Sequence, residues 1–301
     1  MSTPEIVVHA QANILASAAA ARLITRLVDI QAAGSVPKLV LTGGGVGIAM
    51  LEQVRATVAR DAVDWGEVEF YWGDERFLPP GDPERNDTQA RAALLDHVRV
   101  DPAKVYPMGA DEGSGPPGAE AAAEEYAALL ASKASPEDHG PVPTFDVLLL
   151  GMGGEGHTAS VFPHSPAVYE TERSVVAVHG CPKPPPTRVS LTLPAIRKAT
   201  EVWIITTGDA KAGAVALALG GAGEVAIPVA GARGQRRTLW LLDRAAAAKL
   251  PRDLVPHIAL RPARTTPRGG RRERGRVAAG RLVARPRRSG HPSRGAAGRR
   301  P

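Results

Sequence analysis

Short apolar runs alternate with helix-forming stretches along the first 255 residues, and few architectures accept that order. "EIVVH" (5–9) precedes an Ala-rich segment, 10–33, that reads as a long helix. "KLVLT" (38–42) leads through "GGGVG" to a helical stretch over 47–60. "EVEFYWGDE" (67–75) is a strand rich in aromatic and β-branched residues, running into a polar loop. Helices are expected at 87–97 and 118–133. "FDVLLLG" (145–151) is a continuous apolar run, the pattern of a strand buried on both faces. "RSVVAV" (173–178), "EVWIITT" (201–207) and "TLWLL" (238–242) add three strands, with a helix at 208–220 and a last one at 243–249. This order predicts an α/β fold, a parallel sheet sandwiched between helices on both faces. No repeat or linker interrupts residues 1–255, which are expected to form one domain.

The net charge of +6 divides unevenly. Residues 261–301 hold fourteen Arg, no Lys and one acid, Glu273, a local balance of +13, so residues 1–260 carry −7. Arg, Gly, Ala and Pro make up 32 of those 41 residues, and no apolar periodicity runs through them. A segment of that composition buries too little apolar surface to offset its ordering entropy, so residues 256–301 are expected to be a disordered Arg-rich tail. Clustered Arg neutralises phosphates, which would suit a nucleic-acid-binding arm, but no aromatic residue is interleaved for base stacking. The composition also matches GC-rich codons read out of frame, and that reading is preferred.

No run approaches the roughly 18–20 apolar residues of a membrane span, and "MSTPEIVVHA" lacks a charged segment followed by an apolar one. The single cysteine, Cys181, forms no intrachain disulfide. His9, His97, His139 and His164 show no ligand spacing with it, so no metal is expected. A cytoplasmic enzyme or binding protein is the expectation.

In open α/β sheets, ligands collect at the carboxyl ends of strands. Four strand exits here combine glycine with a polar side chain. They are Thr42-Gly43-Gly44-Gly45, Gly73-Asp74-Glu75-Arg76, Gly151 to Thr158, and Thr207-Gly208-Asp209 with Lys211. Four such exits suggest one site. The third contains G-x-G-x-x-G (Gly151, Gly153, Gly156), yet it is a poor dinucleotide fingerprint. Pro163 stops any following helix after about two turns, and the acids Glu170 and Glu172 precede the next strand instead of ending it. The loop instead offers His157, expected at a helix N-terminus, where neutral imidazole can take a proton from water. "TGGGVG" brings backbone and a helix N-terminus toward an anion but lacks the G-K-[ST] of a P-loop. Asp74 with Arg76, and Arg188 and Lys211, are either solvated charges or the cations of a phosphate site. "HTAS" is not a nucleophile elbow, which argues against Ser160 as a nucleophile.

Together, "LTGGG" (41–45), "WGDERFLP" (72–79), "RND" (85–87), "LLGMGGEGHTASVFP" (149–163), "RVSLTLPAI" (188–196) and "TTGDAKA" (206–212) resemble the 6-phosphogluconolactonase family. The resemblance spans residues 5–250. Its fold is sugar-phosphate isomerase-like and Rossmann-related, and is shared with glucosamine-6-phosphate deaminase/isomerases and sugar-phosphate sensors. Those relatives carry "DEY" at Asp74-Glu75-Arg76 and follow the loop histidine with "IAFNEP". The resemblance implies hydrolysis of 6-phospho-D-glucono-1,5-lactone with no cofactor and no metal, by a monomer or weak homodimer. It implies His157 as general base, Arg188 and Lys211 on the phosphate, and Thr42, Gly43 and Gly44 lining the sugar-phosphate site. Asp74 and Arg76 would fix hydroxyls or developing charge. Spacing does not say which cation meets phosphate and which meets carbonyl. Glu155 stands where the family has Asp, one methylene longer, which leaves its orienting role open. Two further readings are an isomerase or deaminase on this fold, and a non-catalytic sugar-phosphate sensor acting on nucleic acid through the tail.

Overall fold

A computed structural model of the chain describes residues 2–116, 118–251 and 254. The elements run β1 (Pro4–His9), α1 (Ala12–Ala32), β2 (Lys38–Leu41), α2 (Gly45–Ala56), β3 (Glu69–Trp72), β4 (Asp74–Arg76), α3 (Asn86–Ala93), α4 (Gly118–Lys133), β5 (Val147–Leu150), β6 (Val175–Val178), β7 (Arg188–Leu191), α5 (Leu193–Ile196), β8 (Glu201–Thr206), α6 (Ala212–Leu219) and β9 (Arg237–Asp243). Six strands form a parallel sheet in the order β1-β9-β8-β5-β2-β3.

The continuous apolar runs have the cause expected of them. In β5, Leu148 and Leu150 enter one core with Tyr126 and Leu130 of α4 and Val215 of α6. Val147 and Leu149 enter the other, with Leu23 and Leu27 of α1 and Met50 and Val54 of α2. Successive residues of a strand point to opposite faces, so a strand covered on both sides must be apolar throughout. Each such side chain, taken from water, contributes about 1.5–3 kcal/mol.

The chain leaves β2 toward β3 and leaves β5 toward β8, in opposite directions from neighbouring strands. That divergence opens a crevice at the carboxyl ends of β2 and β5.

A second sheet departs from the expected single parallel one. β4, β7 and β6 form a three-stranded antiparallel sheet, so "RSVVAV" pairs antiparallel and Arg188–Leu191 is a strand the sequence did not signal. The segment between β5 and β6 contains no α-helix, and parallel pairing needs a long crossover that usually contains one. "EVEFYWGDE" breaks at Gly73, with its halves in different sheets.

No helix starts near His157 either. Gly156 (φ 91°) and Ala159 (φ 47°) take the chain off a helical path. The loop is closed instead by Gly153 N–H donating to His157 O and by a bridge between Thr158 and Val161. The helix expected over 243–249 is a run of turns, in which Asp243 Oδ1 accepts from Ala246 N–H. The expected disordered tail over 256–301 lies outside the described residues. Among the described residues no helix is long and apolar enough to cross a membrane.

Candidate active site

A cleft of about 320 Å³ lies over the crevice. It is built from six segments, one of which is the start of α3 at Asn86. Thr42, Gly43 and Gly44 come from the exit of β2, Asp74 and Arg76 from β4, and His157 and Ala159 from the loop after β5. Lys183 and Arg188 come from the start of β7 and the loop before it, and Thr206, Thr207 and Lys211 from the exit of β8. Every residue to which the resemblance gave a role therefore lines one space, except Glu155, which bonds His157; of the strand-exit residues, Gly73, Glu75, Thr158, Gly208 and Asp209 lie outside that lining. That size suits a single small ligand.

Glu155 Oε1 lies 2.7 Å from His157 Nδ1. An ionised carboxylate only accepts, so Nδ1 carries the proton and Nε2 keeps its lone pair as the free ring nitrogen. Burial pushes the His157 imidazolium below its ordinary pKa, opposed by the Glu155 charge. Partial burial would raise Glu155, but bonds from Lys183 Nζ, at 2.9 Å, its own N–H and His157 bring it down to about 2. The carboxylate is thus charged throughout the neutral range and the imidazole is a neutral base. The longer side chain of Glu155 reaches the imidazole and Lys183 at once. Phe162 packs against the other side of the ring, 4.4 Å between centroids.

In the same cleft, the β4–β7 ladder sets Arg76 directly across from Arg188 and Asp74 across from Ser190. Like charges facing each other across strands are destabilising by about 0.2–1 kcal/mol. Both guanidiniums are braced by carbonyls. Arg76 Nη1 donates to Glu84 O, and Arg188 donates through Nε to Pro185 O and through Nη2 to Lys183 O and Pro184 O. Asp74 Oδ2 is 3.9 Å from Arg188 Nη1 and accepts from Ser160 Oγ at 2.6 Å. Two braced cations, with one carboxylate near Arg188, offer a seat for an anion. Lys211 adds a third, its Nζ bonded to Met152 O and its pKa lowered by burial.

The next residues along β4 and α3 hold this wall in place. Glu75 is fully buried and accepts the N–H groups of Arg76 (2.7 Å), Asn86 (2.6 Å) and Asp87 (2.9 Å). Burial raises its pKa to about 7, against Arg85 and the N–H bonds of Asn86 and Asp87. Arg85 is likewise buried, donating to the carbonyls of Arg76, Leu78, Met108 and Gly109. The "RND" stretch thus splits its work: Arg85 braces the wall, and Asn86 lines the cleft with Nδ2 donating to Asp74 O at 2.8 Å. Gly43 is glycine because the Asn86 amide occupies the space a Cβ would take.

Sequence reasoning passed over Asn86, Lys183 and Thr206 as cleft residues, and Ser160 as a partner of Asp74. Asn86 and Ser160 lay within quoted motifs, but their contacts join positions 12 and 86 residues apart. Lys183 sits in a Pro-rich loop whose path no local pattern gives. Thr206 ends an apolar strand and reads as part of it.

Fold and cleft together define an α/β protein whose topological switch point gathers a histidine and several cations in one cleft. The chain belongs to the glucosamine-6-phosphate isomerase/6-phosphogluconolactonase family, whose family model matches residues 10–240. It is 58% identical over 254 residues to the 6-phosphogluconolactonase of Streptomyces coelicolor, covering 84% of this chain and 97% of that one. The 6-phosphogluconolactonase of Mycobacterium tuberculosis is 51% identical over 246 residues, 82% of this chain and 98% of that one. Among solved structures, 6-phosphogluconolactonase from Trypanosoma brucei superposes with a TM-score of 0.70 at 31% identity, covering 82% of this chain and 99% of that chain.

Proposed function

We propose that this chain hydrolyses 6-phospho-D-glucono-1,5-lactone to 6-phospho-D-gluconate, the second step of the oxidative pentose phosphate pathway. His157 Nε2 takes a proton from water as that water attacks C1. Negative charge then collects on the former carbonyl oxygen, and Arg76 lies on the wall that would receive it. Collapse breaks the bond from C1 to the ring oxygen, which takes the proton back from His157. Arg188 and Lys211 hold the phosphate, with Thr42, Gly43 and Gly44 lining its seat, and Asp74 accepts from a sugar hydroxyl. General-base assistance accounts for about 10²–10⁴-fold of the acceleration. A well-aimed donor to the oxyanion accounts for about 3 kcal/mol.

The observation that supports the reading is the Glu155–His157 pair, which orients a neutral imidazole in a cleft that also holds paired arginines. The names of the relatives at 58% and 51% identity favour hydrolysis over isomerisation or deamination on this fold. We further propose that residues 1–255 are the catalytic domain, acting as a monomer or weak homodimer in the cytoplasm on a small sugar phosphate. Both proposals rest on the family resemblance. The test is acid release from freshly made 6-phosphogluconolactone, with the spontaneous rate subtracted. A rate at background for the full chain would overturn the assignment.

A further inference from the structure

Asp74 is a carboxylate with two suitors at Oδ2, while its Oδ1 accepts from Asn86 Nδ2 at 3.5 Å. Its Oδ2 accepts from Ser160 Oγ at 2.6 Å, a short, charge-assisted bond, while Arg188 Nη1 stays 3.9 Å away, beyond hydrogen-bonding range. Arg188 has already committed Nε and Nη2 to loop carbonyls, so Nη1 is the arm left toward the cleft. The Asp74 backbone is pinned by the β4–β7 register and by Asn86 Nδ2, so its carboxylate chooses between partners by side-chain rotation alone. Ser160 is fully buried, and its own N–H donates to Ser190 Oγ at 3.1 Å. Ser190 lies on the same strand as Arg188, two residues on, so the hydroxyl keeps a fixed position relative to the guanidinium it competes with.

We propose that Ser160 is a positioning residue that holds the Asp74 carboxylate off Arg188, leaving that guanidinium available to the anionic end of the substrate. The inference rests on the reading of Arg188 as a phosphate cation. Without the hydroxyl, the nearly buried carboxylate loses its strongest donor and closes onto Arg188, and the resulting ion pair competes with phosphate. Removing the Asp74 charge makes the hydroxyl irrelevant to anion binding. A residue that only packed the loop would not show that dependence.

The experiment is a cycle of full-length wild type, Ser160→Ala, Asp74→Asn and the double variant. Binding of inorganic phosphate and of 6-phosphogluconate is measured by titration calorimetry, and folding by thermal melts. Ser160→Ala is expected to weaken both anions about tenfold, the scale of one hydrogen bond to a charged group. KM should rise with much less change in kcat. Asp74→Asn is expected to bind inorganic phosphate, which lacks the sugar hydroxyl that Asp74 would meet, at least as well as wild type, and the double variant to match Asp74→Asn. Should Ser160→Ala fail to fold, Ser160→Cys, with a weaker donor of similar size, carries the same comparison. Undiminished binding in Ser160→Ala, an equal loss in the Asp74→Asn background, or absent phosphate binding by wild type would each overturn the proposal. Absent lactone turnover with intact phosphate binding would instead overturn the proposed reaction alone.

Discussion

Gly153 lies directly beneath the imidazole of His157, where a Cβ would overlap Nδ1 and come within 2.5 Å of Glu155 Oε2. Its N–H donates to His157 O, so the residue supports the base from below through its backbone and its lack of a side chain. Gly153→Ala is expected to displace the ring and lower kcat by about 100-fold, the scale of a 1 Å misplacement. Steady-state kinetics on protein with a near-native melting temperature would check this, and unchanged kcat would refute it.

His157→Ala removes the proposed base. Its kcat is expected to fall at least about 100-fold, the low end of general-base effects. Near-wild-type turnover would move the base elsewhere.

Glu155→Asp shortens the carboxylate by one methylene but keeps a charge beside Nδ1, and is expected to retain most activity. Glu155→Ala leaves the ring without its orienting acceptor, with an expected loss of at least about tenfold, about 1.4 kcal/mol of barrier. Equal rates for the two variants would deny the carboxylate any orienting role.

The pH profile reports on Lys183. Burial lowers the His157 pKa, Lys183 lowers it further, and Glu155 and Asp74 raise it. The base therefore stays deprotonated below the ordinary histidine range, and the acid limb of kcat/KM should lie there. Lys183→Met removes a nearby positive charge and releases Glu155 to act on the imidazolium alone. Both changes raise the His157 pKa, so the acid limb is expected to move to higher pH. A limb that stays put or moves down would show that Lys183 does not act on the base.

Residues 1–255 are expected to turn over the lactone at the rate of the full chain. Comparing both proteins in the acid-release assay tests this, and a large loss on truncation would assign the remaining residues a part in folding or catalysis.

Much of this arrangement was legible because single local patterns carried it. The apolar run Val147–Leu150 announced a strand buried on both faces, and glycine-rich exits marked the crevice end of the sheet. Antiparallel β6 and β7 were not legible, because four-residue strands look alike whichever way they pair. The helix expected near His157 failed for a local reason, the left-handed Gly156 and Ala159. What the sequence could not offer was the set of contacts between distant segments, such as Ser160 with Asp74 and Asn86 with Gly43. Those depend on sheet register, which no window of neighbouring residues contains.

That register bears on which changes of chain length the protein can absorb. In the small sheet, Asp74, Arg76, Arg188 and Ser190 are held by three matched pairs between β4 and β7. Inserting or deleting one residue within either strand would turn its side chains to the opposite face, taking the acid or the cations out of the cleft together. The connection from Gly180 to Thr187, between β6 and β7, is tied to the same ladder through the carbonyls that accept from Arg188. Lineages of this enzyme should therefore keep the residue count of the short ladder.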